Sequence, residues 1–165
     1  MRLLSLVRHA KSSWDYAELS DFERPLNERG RRDAPLMAKL CLIEWGKPER
    51  LVSSPALRAI TTARTFAEVF GIAGEEIIVQ PKIYEAAVET LLRLVRALDD
   101  GDRHVMLFGH NPGISALAHE LARCHFDEMP TCAVAGFELA VKCWSDVGAG
   151  CGKLVRYSTP KGSRD

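Results

Sequence analysis

Short apolar runs at residues 2–8, 50–53, 76–80 and 104–109 alternate with longer stretches of helical periodicity, and this alternation constrains the fold more than any other property of the chain. Apolar runs of strand length are buried on both faces, and a helix-length segment between consecutive runs is what a crossover between parallel strands needs. The pattern predicts an α/β fold, a three-layer αβα sandwich with helices on both faces of a mainly parallel sheet.

The helical segments have readable ends. Asn27, after Pro25, predicts the start of a first helix with Leu36, Leu40 and Ile43 as its apolar stripe and Gly46 and Pro48 as its stop. Ser54-Pro55 predicts a second start, the hydroxyl capping free amides and the proline occupying the first turn, with the helix running to about Phe70 and Gly71. A third helix, around Glu89 to Leu98, carries Leu91, Leu92, Leu94, Val95 and Leu98, and a fourth begins near Pro112 or Gly113 and continues through Leu117 and Leu121. Beyond Pro130, residues 133–141 and 153–157 read as two strands joined by a Gly-rich turn at Gly148 to Gly152, an antiparallel hairpin at one sheet edge. Residues 11–26 break the rhythm and predict a long connection forming a lid or rim of a site, while Thr159 to Asp165 predicts a fraying tail.

With 165 residues, 47% of them hydrophobic, the chain suits a single domain over 1–165 whose core needs neither metal nor disulfide. Lys plus Arg and Asp plus Glu both total 22, so no global field favours nucleic acid or an acidic membrane, and any affinity for phosphate has to be local. A strand begins at once, with no signal peptide or spanning segment, which makes the cytoplasm the expected location. Five cysteines without a CxxC pair predict reduced, mostly buried thiols, and Cys124, His125 and Cys132 match no common zinc spacing.

In open parallel sheets ligands bind beyond the carboxyl ends of the strands. Arg8 and His9, Arg58, and His110 each follow a predicted strand, so residues far apart in sequence are expected to meet at one edge. A lone histidine ending a strand reads as a local hydrogen-bonding residue; with two arginines and a second histidine converging, the chemistry is that of phosphoryl transfer. Neutral imidazole keeps a lone pair at neutral pH and attacks phosphorus without a base, which makes His9 the expected nucleophile. Arg8 and Arg58 supply planar forks matched to phosphoryl oxygens, and Arg58 adds its charge to a helix N-terminus. His110, beside Gly109 and Asn111-Pro112-Gly113, is placed to donate to a phosphate oxygen. His104, at the far end of its strand, reads as structural; His119 and His125 read as packing residues, and Arg64 as an ordinary solvated arginine.

Arg8-His9-Ala10, the run Ser53-Ser54-Pro55-Ala56-Leu57-Arg58-Ala59-Ile60-Thr61-Thr62-Ala63 and Gly109-His110-Asn111-Pro112-Gly113 together resemble the histidine phosphatase superfamily, with Ala10 where its hallmark has glycine. Arg24-Pro25-Leu26-Asn27-Glu28-Arg29-Gly30 and the Pro130-Thr131 approach to the last strands resemble its short SixA-type phosphohistidine phosphatases. The resemblance implies a phosphoglycerate mutase-like fold, His9 as the phosphorylated nucleophile, Arg8 and Arg58 as phosphate clamps, His110 as the second pocket histidine, and no metal or other cofactor. Ile83-Tyr84-Glu85 resembles the position from which many members protonate an ester oxygen. An alkoxide needs that proton far more than an imidazole leaving from a P–N bond. Glu85 is therefore either a general acid or an exposed carboxylate, and the substrate either phosphohistidine on a signalling or phosphotransfer protein or a small phosphoester. A non-catalytic phosphate-binding module would not need the nucleophile.

Overall fold

The first apolar run becomes β1 (Arg2–Arg8), near the middle of a six-stranded sheet in a computed structural model that describes residues 1–160. The sheet continues with β2 (Arg50–Ser53), β3 (Ile78–Val79), β4 (His104–Gly109), β5 (Val134–Leu139) and β6 (Gly152–Ser158), in the spatial order β3-β2-β4-β1-β5-β6. β3, β2, β4 and β1 are parallel; β5 runs antiparallel to β1, and β6 antiparallel to β5 at the edge. Helices α1 (Glu28–Trp45) and α2 (Leu57–Phe70) cover one face, and α3 (Val88–Arg96) and α4 (Gly113–Leu121) the other.

Period-two alternation splits the strands between two cores. Leu4 and Leu6 of β1 and Val105 and Leu107 of β4 pack with Leu91, Val95, Ile114 and Leu117. Val7, Met106 and Phe108 point the other way, onto Met37, Ala63 and Phe66. Both sheet faces are apolar because both are covered, which is why these runs show no polar alternation in sequence.

Three sequence expectations need correction. Only Leu40 of the expected apolar stripe of α1 packs against the core, half-buried: Leu36 is 58% and Ile43 82% exposed, whereas Gly30, Ala34, Met37, Ala38 and Cys41 are buried. Small residues let this helix approach the sheet and α2 closely, a preference that hydrophobic periodicity underweights. Ser54 is not the cap of α2. That place falls to Ala56, and Ser54 Oγ accepts the Ala56 amide at 3.2 Å in a turn ahead of the helix. The connection between β5 and β6 is more than a Gly-rich turn, since it holds a one-turn 3₁₀ helix (Trp144–Asp146) whose Trp144 is fully buried and donates Nε1–H to the Asp102 carbonyl at 2.8 Å. Two of the five free thiols, Cys41 and Cys132, are buried and three are half-buried. No described helix is long and apolar enough to cross a membrane, and residues 161–165 of the expected tail lie outside the described residues.

Candidate active site

The parallel register brings the carboxyl ends of β1, β4 and β2 side by side. Arg8 pairs with Gly109 and Ser53 with Phe108, and beyond them the His9 amide donates to the Gly109 carbonyl at 3.1 Å and the Ser54 amide to the Phe108 carbonyl at 3.1 Å. His9, His110 and Ser54 therefore leave the sheet at one level. The His9 and His110 rings lie 5.1 Å apart between centroids, and Arg8 and Arg58 are close enough to act on the charge of both imidazoles.

His9 is 6% exposed, and its Nδ1 lies 2.7 Å from the Ala10 carbonyl. A carbonyl only accepts, so the proton sits on Nδ1 and the lone pair on Nε2. Burial pushes the His9 pKa well below the usual 6.5, with His110, Arg58 and Arg8 adding to the effect and the Ala10 bond opposing it. Ala10 itself is fully buried and its amide donates to Thr62 Oγ1 at 3.0 Å, while that hydroxyl donates to the Arg58 carbonyl at 2.7 Å. Thr62 thereby ties the turn after β1 to the start of α2, fixing His9 and Arg58 relative to each other.

Arg58 lies in the first turn of α2 and is 6% exposed. Its fork is not directed wholly at the pocket: Nη1 donates to the Asp21 carbonyl at 2.6 Å and Nη2 to Asp21 Oδ2 at 2.9 Å, whereas the buried Nε has no partner among the described residues. The Asp21 carboxylate also accepts the Tyr84 hydroxyl at 2.6 Å and Arg24 Nε at 3.2 Å. Desolvation raises its pKa, but these donors outweigh it and hold Asp21 at about 2, so the carboxylate stays ionised. His110 places Nε2 2.8 Å from Ser54 Oγ and leaves Nδ1 buried without a partner among the described residues. Burial, then the nearby Arg58 charge, pushes its pKa to about 4. Arg8 Nη1 donates to the Met129 carbonyl at 3.1 Å, which also receives Asn111 Nδ2 at 2.9 Å. Arg58 Nε and His110 Nδ1 are buried polar atoms of the kind that cost about 1–3 kcal/mol each when unsatisfied, and both belong to a pocket rich in cationic groups.

The sequence profile of the histidine phosphatase superfamily (branch 1) matches residues 4–91, which include most of β1, the 11–26 segment, Arg58 and Glu85. The chain belongs to the histidine phosphatase superfamily. The solved structure of the protein histidine phosphatase SixA complexed with tungstate superposes with a TM-score of 0.81 at 26% identity, covering 96% of this chain and 97% of that one. A mycobacterial glucosyl-3-phosphoglycerate phosphatase shares the fold, with a TM-score of 0.66 at 18% identity over 94% of this chain and 97% of that one. An uncharacterised chloroplastic protein of Arabidopsis thaliana is 29% identical over 98% of this chain and 79% of its own length. Superfamily membership and the SixA likeness together support phosphatase activity.

Of the residues that the sequence singles out in this histidine phosphatase, Arg8, His9, Arg58 and His110 come together. Glu85 is exposed, with φ at 56°, and acts electrostatically on its neighbour Tyr84. His104 is buried at the far end of β4, bonded to Ser5 Oγ at 2.9 Å, while His119 and His125 flank Phe126. Sequence reasoning missed Asp21, Ser54 as a histidine partner, and Tyr84, whose ring meets His110 edge-on at 5.6 Å. The signal for Asp21 was its place three residues before Arg24-Pro25-Leu26, a motif read there only as part of a resemblance.

Proposed function

We propose that this phosphatase hydrolyses phosphohistidine on a phosphorylated protein through a covalent phosphoryl intermediate on His9. The observation that carries the reading is the His9 imidazole itself: neutral, with Nδ1–H spent on Ala10 and Nε2 left as a lone pair, beside His110 and between two arginines. His9 Nε2 forms a bond to phosphorus as the substrate's P–N bond breaks, and the departing imidazole takes a proton from water. A second water then attacks phosphorus, the P–Nε2 bond breaks, phosphate leaves and His9 is restored. Arg58 Nε, His110 Nδ1 and the Arg8 guanidinium bear the phosphoryl oxygens through both steps, and charge set in place before the reaction supplies most of the acceleration. A leaving imidazole needs little help from an acid, which suits a pocket whose histidines are both held neutral. The SixA likeness over nearly the whole chain supports the phosphohistidine substrate.

A second reading rests on Glu85, whose left-handed φ is a strained conformation for a residue other than glycine and is often kept where function demands it. There Glu85 protonates the oxygen leaving from a small phosphoester. The deciding experiment compares phosphate release from a histidine-phosphorylated protein and from a simple phosphomonoester by wild type, His9→Ala and Glu85→Gln. The proposal expects release chiefly from phosphohistidine, none above background with His9→Ala, an acid-labile phosphoenzyme trapped on His9, and little change with Glu85→Gln. Full activity of His9→Ala overturns it, and ester hydrolysis that collapses in Glu85→Gln favours the second reading.

A further inference from the structure

The 11–26 segment is pinned rather than loose. Its ends pair through Ser12 and Leu26, the Asn27 amide donates to the Lys11 carbonyl at 2.9 Å, and the Ser13 amide to the Pro25 carbonyl at 2.8 Å. What lies between these ties is exposed and aromatic: Trp14 is 73%, Tyr16 50% and Phe22 40% exposed. Of these, Trp14 and Phe22 are held in place. The buried Arg24 guanidinium stacks on the Trp14 ring at 3.6 Å and is itself fixed by Ser12 Oγ at 2.7 Å, and Phe22 packs edge-on against Tyr84 at 5.1 Å between centroids. From Phe22 a run of ring contacts leads inward through Tyr84 and His110 to His9. Residues 14–23 also carry Asp15, Glu18, Asp21 and Glu23 and no lysine or arginine.

Building on the phosphohistidine reading, we propose that this rim is the docking surface for the phosphorylated protein, and that the partner's face around its phosphohistidine is basic with an apolar contact for Trp14 and Phe22. A small phosphoester whose phosphoryl group reaches His9 gains nothing from rings on the outside of the rim. A protein that presents a phosphohistidine to His9 has to lie over the ring ladder and cover Phe22. Rigid aromatics at the centre of a contact lose little conformational freedom on binding, which is why such side chains dominate interface energies. With Asp21 paired to Arg58 and Arg24, it is Asp15, Glu18 and Glu23 that select the sign of the partner's charge and speed encounter at low salt.

The test uses the full chain, a lysine-rich histone phosphorylated on histidine with phosphoramidate, and N-phosphorylated imidazole as the small substrate. Trp14→Ala and Phe22→Ser are each expected to raise KM for the phosphohistone at least tenfold while kcat/KM for phosphoimidazole stays within twofold of wild type, which also shows that the variants fold. Glu18→Lys is expected to weaken phosphohistone turnover several-fold at 50 mM salt and much less at 500 mM. Equal losses on both substrates, or no loss on the phosphohistone, overturn the inference. So does a wild-type dimer in sedimentation that Phe22→Ser dissociates, since the rim would then join two copies of this chain. Hydrolysis of neither probe by wild type brings down the phosphohistidine reading and this inference with it, whereas hydrolysis of both without sensitivity at the rim removes this inference alone.

Discussion

Asp21 holds both terminal nitrogens of Arg58, one through its backbone carbonyl and one through its carboxylate, while the buried Nε has no partner among the described residues. Asp21 takes both Nη groups, which fixes the guanidinium plane and directs Nε as the available donor. Bonds between charged groups contribute about 1.5–3 kcal/mol each when well ordered. Asp21→Ala is expected to lower kcat/KM for a phosphorylated substrate about tenfold or more by loosening the guanidinium, and to lower Tm as well because the buried Arg58 loses its countercharge; an unchanged kcat/KM would show that Arg58 needs no such hold. Tyr84→Phe removes one of the donors to Asp21 and should cost less. His9, the proposed nucleophile, makes a second prediction at this scale. His9 is held neutral by burial, then by the neighbouring positive charges, so kcat/KM should stay level from pH 7.5 to below pH 6 and fall only under the ordinary histidine range, whereas an exposed nucleophilic histidine would lose half its activity near pH 6.5. Initial-rate profiles distinguish the two.

Two close approaches decide how the helices sit. A Cβ at Gly30 would meet the Lys11 carbonyl, and one at Gly113 would meet the Ala86 carbonyl; both are backbone atoms that cannot rotate away. Gly30 lets the first turn of α1 lie against the start of the rim segment, and Gly113 seats the N-terminus of α4, just after His110, on the Tyr84–Ala86 turn. Gly30→Ala and Gly113→Ala should each lower stability by about 2 kcal/mol or more in denaturant unfolding, against the slight gain that alanine brings in an open helix. Along α1, Met37→Ala should cost about 2–5 kcal/mol and Ile43→Ala less than about 0.5 kcal/mol, since Met37 is buried and Ile43 stands in solvent. Hydrophobic periodicity alone would assign the larger loss to Ile43.

Across the whole molecule, burial lowers the pKa of three histidines, His9, His104 and His110, the last to about 4. The unfolded chain takes up protons on these residues as pH drops through 6.5 while the folded chain does not, so stability is at its fullest above that pH and declines from there toward pH 4. Tm should follow that slope, and substituting His104 by glutamine, away from the pocket, should flatten part of it. The order of strands and helices, the antiparallel edge and the gathering of Arg8, His9, Arg58 and His110 were legible in the sequence because each depends on local signals: apolar runs, breakers, and chemistry placed just after a strand. Which face of α1 is buried was not legible, because close packing of alanines and glycines depends on the surface opposite. Nor was Asp21, which touches Arg58 across 37 positions of sequence. Sequence by itself determined the architecture and which side chains gather at the carboxyl ends of the strands, since periodicity and strand ends are properties of short segments. Only tertiary structure decided which nitrogens of Arg58 are held by Asp21 and which aromatics line the rim, because each depends on a partner that folding brings from elsewhere in the chain.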